Sequence, residues 1–197
     1  VEWTSLTSLL DARDVTSDHA DHLWVATTGG IVVCDPTTRQ ILAEYRPGEG
    51  LLVQDFSSIA ASEDGQLIVA GASDGTLEIL SSSSGPQRTL TDIRRAADQY
   101  PRRTINALIV LGSRIYAATD FGIVVFDATY GVPVETVDAV GTFAPKTAIT
   151  ALAVRNDTLF AAGTGGIASV WLGVPSLRDR QQWRSWQLPQ GWQWDSP

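Results

Sequence analysis

The stretch Thr104–Asp127, TINALIVLGSRIYAATDFGIVVFD, decides the fold. It reads as a strand of mixed polarity, a Gly-Ser turn, a short apolar strand, a hairpin at Asp120-Phe121-Gly122 and a third, continuously apolar strand. The plan occurs four times. Gly30, Gly75, Gly122 and Gly166 close the equivalent hairpins, at separations of 45, 47 and 44 residues. A repeat of that length with strand signals inside it marks the blades of a propeller. The expected fold is all-β: a β-propeller of four-stranded antiparallel blades. Residues 1–197 form a single partial propeller, with repeats over 12–46, 57–92, 104–138 and 148–188.

Within each repeat the hairpin follows a short middle strand: Leu23–Thr27, Leu67–Gly71, Ile115–Thr119 and Leu159–Gly163. Their small Ala and Gly residues suit sheets that pack face to face. An apolar strand follows each hairpin, except that Thr76–Leu80 alternates in polarity and predicts a half-exposed strand. Counting eight residues back from each middle strand aligns Val15, Ile59, Ala107 and Ala151 on the inner strands. Asp14, Ser58, Asn106 and Thr150 then become equivalent polar positions. They either face a hydrated central channel or form a ring of hydrogen-bonding groups for a small polar ligand. The outer strands carry Arg and Glu, which protect a sheet edge from pairing, and the spacing matches Tyr45 with Trp186. Thr91–Tyr100 predicts a short helix capped by Thr91 or Asp92 and stopped before Pro101.

The chain has 197 residues and a net charge of −8. Thirteen Arg and the single Lys146 supply all the positive charge, too little and too scattered for a phosphate-backbone interface, so nucleic acid is excluded as a partner. One cysteine, Cys34, precludes an intrachain disulfide and sits in the apolar run Ile31–Cys34 as a small core residue. Asp64-Gly65 is a hairpin signal and lacks the spaced carboxylates of a calcium loop. His19 and His22 flank a turn and are not spaced as ligands, and no metal or cofactor is expected. No run approaches the ~18 apolar residues of a membrane helix. Neither a nucleophile elbow nor a phosphate loop occurs, and the expectation is a non-enzymatic protein.

Glu2-Trp3-Thr4-Ser5-Leu6 reads as one outer strand ahead of four complete blades. The last blade already owns an outer strand, so the Trp3 strand belongs to a blade not in this chain. The chain begins at Val1, contains no Met, and ends on a connector like the one after Tyr45. The expectation is an arc of a larger ring of about seven blades. A closed ring of four blades is the alternative. An open arc exposes apolar blade faces and needs partners.

The loops from outer to inner strands converge on one face, where propellers commonly bind ligands. They carry Asp55, Arg102, Arg103, Thr142, Phe143 and Lys146, with Asn106 just inside. Arg94, Arg95, Arg102 and Arg103 make the one basic cluster, either a solvated turn or an anion-binding patch. Trp183, Trp186, Trp192 and Trp194 fall within twelve residues. Packing accounts for one or two; the others stack on sugar faces or anchor a protein. The candidate ligand contacts are therefore Asp55, Arg102, Arg103, Asn106, Lys146, Trp192 and Trp194.

The unit Leu23-Trp24-Val25-Ala26-Thr27-Thr28-Gly29-Gly30-Ile31, with Asp35-Pro36, resembles the two-component-regulator propeller repeat. The longer series is more particular: Trp3, Asp74–Leu80, Asp92-Ile93, Thr104-Ile105-Asn106, Phe121–Asp127, Val134-Glu135-Thr136, and Pro175-Ser176-Leu177 before Leu188-Pro189. In that order it resembles the N-terminal propeller of PorZ-type proteins of the type IX secretion system. Gly50–Asp55 departs from the usual Gly-Leu-Ser-Asp connector, so no loop contact is carried over there. The resemblance implies a surface protein of an outer-membrane attachment complex, extracytoplasmic, that helps a sortase join cargo to anionic lipopolysaccharide and can bind that lipopolysaccharide. The competing expectation is the periplasmic sensor of a hybrid histidine kinase, built from the same repeats. A third is a glycosidase or lyase scaffold, which needs paired carboxylates across the central face.

Overall fold

The computed structural model describes residues 11–186, so the Trp3 strand, Trp192 and Trp194 lie outside the described residues. Sixteen strands form four antiparallel four-stranded sheets, each made of consecutive strands. Blade 1 holds β1 (Ala12–Ser17), β2 (Leu23–Thr27), β3 (Gly30–Cys34) and β4 (Ile41–Tyr45). Blade 2 holds β5 (Phe56–Ala61), β6 (Leu67–Ala72), β7 (Leu77–Ser81) and β8 (Gly85–Leu90). Blade 3 holds β9 (Ile105–Leu111), β10 (Arg114–Thr119), β11 (Gly122–Asp127) and β12 (Val132–Val137). Blade 4 holds β13 (Ile149–Arg155), β14 (Thr158–Gly163), β15 (Gly166–Trp171) and β16 (Arg184–Trp186). The predicted helix is shorter than the sequence implies: α1 spans Asp92–Arg95, Thr91 caps it without a side-chain bond, and turns continue to Tyr100.

Inner strands β1, β5, β9 and β13 lie side by side in that order. Three apolar layers separate the sheets, and register shows how they repeat. Trp24, Val69 and Tyr116 occupy one position of the middle strand, and Ile31, Leu77 and Ile123 one position of the third. Tyr45, Leu90 and Val137 pair with those last three from the outer strand. Each set faces the following blade and packs into the layer it shares with that blade. The fourth members are Phe160, Ile167 and Trp186, the last paired with Ile167 as the Tyr45–Trp186 match requires.

Each inner strand carries a bulge at its second residue, where Arg13, Ser57, Asn106 and Thr150 are left without a ladder partner. This corrects the alignment from eight-residue spacing, which set Asp14 and Ser58 level with Asn106 and Thr150. The turns before the middle strands differ in length, covering residues 18–22 and 62–66 in the first two blades but only 112–113 and 156–157 in the others. These polar groups do not simply face a channel. The Ser57 hydroxyl lies 3.2 Å from the Gly71 carbonyl of its own blade and 2.7 Å from the Ile105 carbonyl of the next. Asn106 Nδ2 donates to the Ile149 carbonyl of the next blade at 2.9 Å. Ser58 also donates to Ile105, and Asp14 Oδ2 accepts from the Ile59 N–H. Polar side chains therefore tie each inner strand to its neighbour.

The alternating strand β7 is not half exposed. Both of its faces are covered by neighbouring blades, and Glu78 retains 1% of its surface. Its carboxylate accepts from the Leu52 N–H at 2.9 Å and from the Thr89 hydroxyl at 2.6 Å, which pins the connection between blades 1 and 2. Burial pushes this carboxyl above its ordinary value, and the two hydrogen bonds offset part of that rise. Asp18 behaves oppositely. Burial raises it, but bonds from Trp24 Nε1 and the N–H groups of His22 and Ala20 outweigh burial and hold it low. The first turn is thus built around one ionised carboxylate.

Two predictions follow from these contacts. Gly122 has φ +136°, and an added Cβ would collide with the Val137 carbonyl oxygen. Gly122→Ala is expected to cost more than about 2 kcal/mol in urea unfolding. Gly48→Ala, with φ +89° and nothing within 4 Å, should cost about 1 kcal/mol from backbone strain alone. An equal loss at both sites would show that the Val137 clash contributes nothing. For Glu78, the raised pKa gives stability that is full below its ordinary value of 4.5 and lost as pH rises through the folded value. Glu78→Gln can keep both hydrogen bonds, with its oxygen accepting from Leu52 and its amide donating to Thr89. Wild type should lose stability relative to this variant as pH climbs from 4.5 toward 7. Parallel stability–pH curves for the two proteins would refute the assignment.

Candidate functional loop face

The connections from outer to inner strands cover residues 46–55, 91–104 and 138–148. They meet the hairpin tips at one end of the arc: Ser73 N–H bonds the Asp55 carbonyl, Arg94 pairs with Asp74 at 3.2 Å, and Asp120 accepts from the Thr104 N–H. Gly-containing tips fit here because the loops press directly on them; a Cβ at Gly165, for instance, would run into the Phe143 ring.

The centre of this face is Tyr100. Its ring stacks on Phe121 with centroids 3.8 Å apart and planes 9° from parallel. Lys146 Nζ lies 5.0 Å from the same ring and donates to the Gln99 carbonyl at 3.3 Å. The Tyr100 hydroxyl donates to Asp138 Oδ2 at 3.3 Å. Burial and the Asp138 charge push the Tyr100 phenol above its ordinary pKa, so it stays a neutral donor. On one side of the ring lies a cavity of about 200 Å³ lined by Gln99, Pro101, Arg102, Asp120, Phe121 and Lys146. Tyr100 also borders a cavity of about 480 Å³, where Thr136, Asp138 and Arg178 contribute polar groups.

Of the residues singled out from sequence, Arg102 and Lys146 line the smaller cavity together. Asn106 adjoins them through Asp120, whose Oδ1 lies 3.3 Å from its amide, although its second bond goes to the inter-blade contact. Arg103 turns inward and donates to the carbonyls of Tyr100 and Pro101. Arg94 is held by Asp74, so the four-arginine run splits between different tasks. Asp55 is elsewhere, in a cavity of about 370 Å³ with Pro47, Leu52 and Asp74. Trp192 and Trp194 lie outside the described residues.

Sequence reasoning missed Tyr100, Phe121, Asp138 and Arg178. A Tyr immediately before Pro101 at the end of a helical turn was the one available signal, since such a residue is held rigidly. Arg178 comes from the long connection between β15 and β16, which runs along β12. There Glu135 accepts from the Ser176 hydroxyl and the Leu177 and Arg178 N–H groups, and Arg178 Nε donates to the Thr136 carbonyl. Trp183, by contrast, is a core residue whose indole N–H donates to the Leu177 carbonyl.

Among the described residues no group of three or more His, Cys, Asp or Glu side chains could hold a metal ion. No described helix is long and apolar enough to cross a membrane. The face brings Arg102 and Lys146 together beside Asp120, over a Tyr100–Phe121 pair that is itself buried.

Solved structures agree on the architecture. The crystal structure of the RRP9 WD40 repeats superposes at a TM-score of 0.68 with 15% identity, covering 94% of this chain and 52% of that one. A computationally designed protein, Ika8, gives 0.61 with 17% identity, covering 86% and 48%. The extracellular domain of the putative hybrid two-component system BT4673 from B. thetaiotaomicron gives 0.65 with 15% identity, covering 84% and 21%. At these identities the likeness concerns the fold alone. The chain spans about half the length of the RRP9 and U3-55K structures it matches. No curated protein matches its sequence. A family profile does, that of the type IX secretion PorZ N-terminal β-propeller domain, over residues 23–184. Most of the chain, including every described blade's hairpin, falls inside that match, and the protein belongs to the family of PorZ N-terminal β-propeller domains of the type IX secretion system.

Proposed function

We propose that this domain is a non-enzymatic binding and scaffold module of a cell-surface type IX attachment complex. In this role it assists a sortase-like partner in anchoring secreted cargo to anionic lipopolysaccharide, at the outer-membrane surface. Family membership supports the secretion context and an extracytoplasmic location. The observation that carries the ligand reading is the meeting of Arg102 and Lys146 in one cavity, whose wall is backed by the buried Tyr100–Phe121 pair. The acidic substituents of a glycan pair with such cations through charge-assisted hydrogen bonds. The proposed contact set also takes in Asn106 beside this cavity, Asp55 in the separate cavity near Asp74, and Arg103, Trp192 and Trp194, and no cofactor is needed. The arc contributes to a larger ring of about seven blades, completed from the same or another chain.

A second reading is the ligand-sensing propeller of a periplasmic hybrid histidine kinase. The likeness to the extracellular domain of the putative two-component protein favours it. Linkage to a transmembrane helix and kinase in the full gene would decide for it.

The test is binding of purified anionic lipopolysaccharide to immobilised protein. Arg102→Ala and Lys146→Ala should each weaken binding about tenfold, the worth of one charge-assisted hydrogen bond of about 1.5 kcal/mol. Affinity should also fall as salt rises. Equal binding of a neutral polysaccharide, or no change in either variant, would sink the ligand reading. Failure of the native protein to co-purify with a sortase would sink the attachment role.

A further inference from the structure

The cavity of about 480 Å³ beside Tyr100 takes no part in the proposed function, and it holds two opposite charges that do not meet. Arg178 and Asp138 both line it, and among the described residues neither forms an ion pair, with the other or with a third side chain. Each is held in place. The Arg178 peptide N–H donates to the Glu135 carboxylate and the Ser176 hydroxyl, and its Nε donates to the Thr136 carbonyl at 3.1 Å. The two terminal nitrogens of the guanidinium bond to no described residue. Asp138 is fixed through a short relay. Gln99 Nε2 donates to the Tyr100 hydroxyl at 3.0 Å, and that hydroxyl donates to Asp138 Oδ2 at 3.3 Å. Asp138 Oδ1 accepts from no described residue.

Apolar wall lies beside these charges. Ala96 and Ala139, both half-buried, line the same cavity. A smaller cavity of about 140 Å³ adjoins it, with Ala96, Tyr100 and Thr136 common to both. Its remaining lining is mostly apolar, Ile93, Val124 and Pro133 included, with Asp92 its one charged residue. A purely anionic ligand would meet the unpaired oxygen of Asp138, and a purely cationic one the unpaired fork of Arg178. Either arrangement brings like charges together in a partly desolvated site, which counts against binding. A ligand that carries both charges satisfies both groups, and a carboxylate on a guanidinium makes the strong, two-pronged kind of pair.

We propose that this cavity is a binding site for a zwitterionic α-amino acid with an apolar side chain. Arg178 takes the carboxylate through its two terminal nitrogens. Asp138 Oδ1 accepts from the ammonium, and the side chain enters the adjoining apolar cavity. The site uses neither Arg102 nor Lys146 and is independent of the glycan reading. Its two charges come from the 138–148 connection and from the connection between β15 and β16, so a bound amino acid also ties those two segments together.

Titration of the 197-residue chain with L-leucine, followed by NMR at the backbone amides around Tyr100, Asp138 and Arg178, tests this. Saturable shifts are expected. Glycine, with no side chain to bury, should bind about tenfold more weakly or worse. N-acetyl-leucine lacks the ammonium and leucine amide lacks the carboxylate, and each should bind about tenfold more weakly than leucine. These comparisons use the wild-type chain and need no variant to fold. Two variants then identify the contacts. Asp138→Asn should weaken leucine about tenfold and leave N-acetyl-leucine unchanged. Arg178→Gln should weaken leucine by a similar factor and leave leucine amide unchanged. Absence of any shift at these amides up to the solubility of leucine overturns the site. N-acetyl-leucine or leucine amide binding as tightly as leucine overturns the zwitterion, and glycine binding as tightly overturns the apolar subsite. Saturable leucine binding by a protein that ignores anionic lipopolysaccharide would leave this site standing and remove only the proposed function.

Discussion

Each sheet of this chain is apolar on both faces, so no blade can be dry by itself. A lone four-stranded sheet of this kind would leave residues such as Ile68 and Val69, which point to opposite sides, in water on one side or the other. Stacking blades around an axis removes the problem for every interior sheet, and all else in the fold serves that stacking. The middle strands carry Ala26, Gly71 and Ala118 at one shared position because neighbouring sheets approach closely there. At Gly71 an added Cβ would strike the Ile105 side chain of the next blade.

Polar groups follow from the same constraint. A tilted stack of strands narrows toward the axis, and the inner strands meet where there is too little apolar surface to exclude water. Bulges at Ser57 and Asn106 turn side chains out of their own ladder and onto main-chain carbonyls of the next blade. These bonds join each inner strand to the next through directional contacts that the apolar layers do not supply. The buried Glu78 serves a similar end by holding the 46–55 connection, at the cost of a desolvated charge.

The loop face inherits its shape from this frame. Because each outer strand must return to the axis for the next blade, the connections gather at one end and press on the hairpin tips. The longest described connection between blades, 91–104, brings Tyr100 over Phe121, and the next brings Lys146 to the same ring. Tyr100, Phe121 and Lys146, distant along the chain, are thus brought together by separate connections and a hairpin tip.

Hairpin glycines at near-constant spacing, with small residues in the strands before them, were sufficient to establish four blades, their strand order and the pairing of Tyr45 and Trp186 with equivalent partners. Those features are local, since a tight turn demands its glycine and a strand its apolar period wherever they sit. Arg102 and Lys146 were also legible as loop cations. Position across blades was not. A fixed count from strand to strand missed the bulges and set Asp14 level with Asn106, because turn length and bulges trade residues without changing the pattern. The polarity of Glu78 read as exposure, because alternation signals a water-facing side only when one face lacks a neighbour. Tyr100, Asp138 and Arg178 come together through packing between separate blades. The sequence by itself determined the repeating sheet; the tertiary structure alone decided which side chains meet across blades, because those contacts join segments that are distant along the chain.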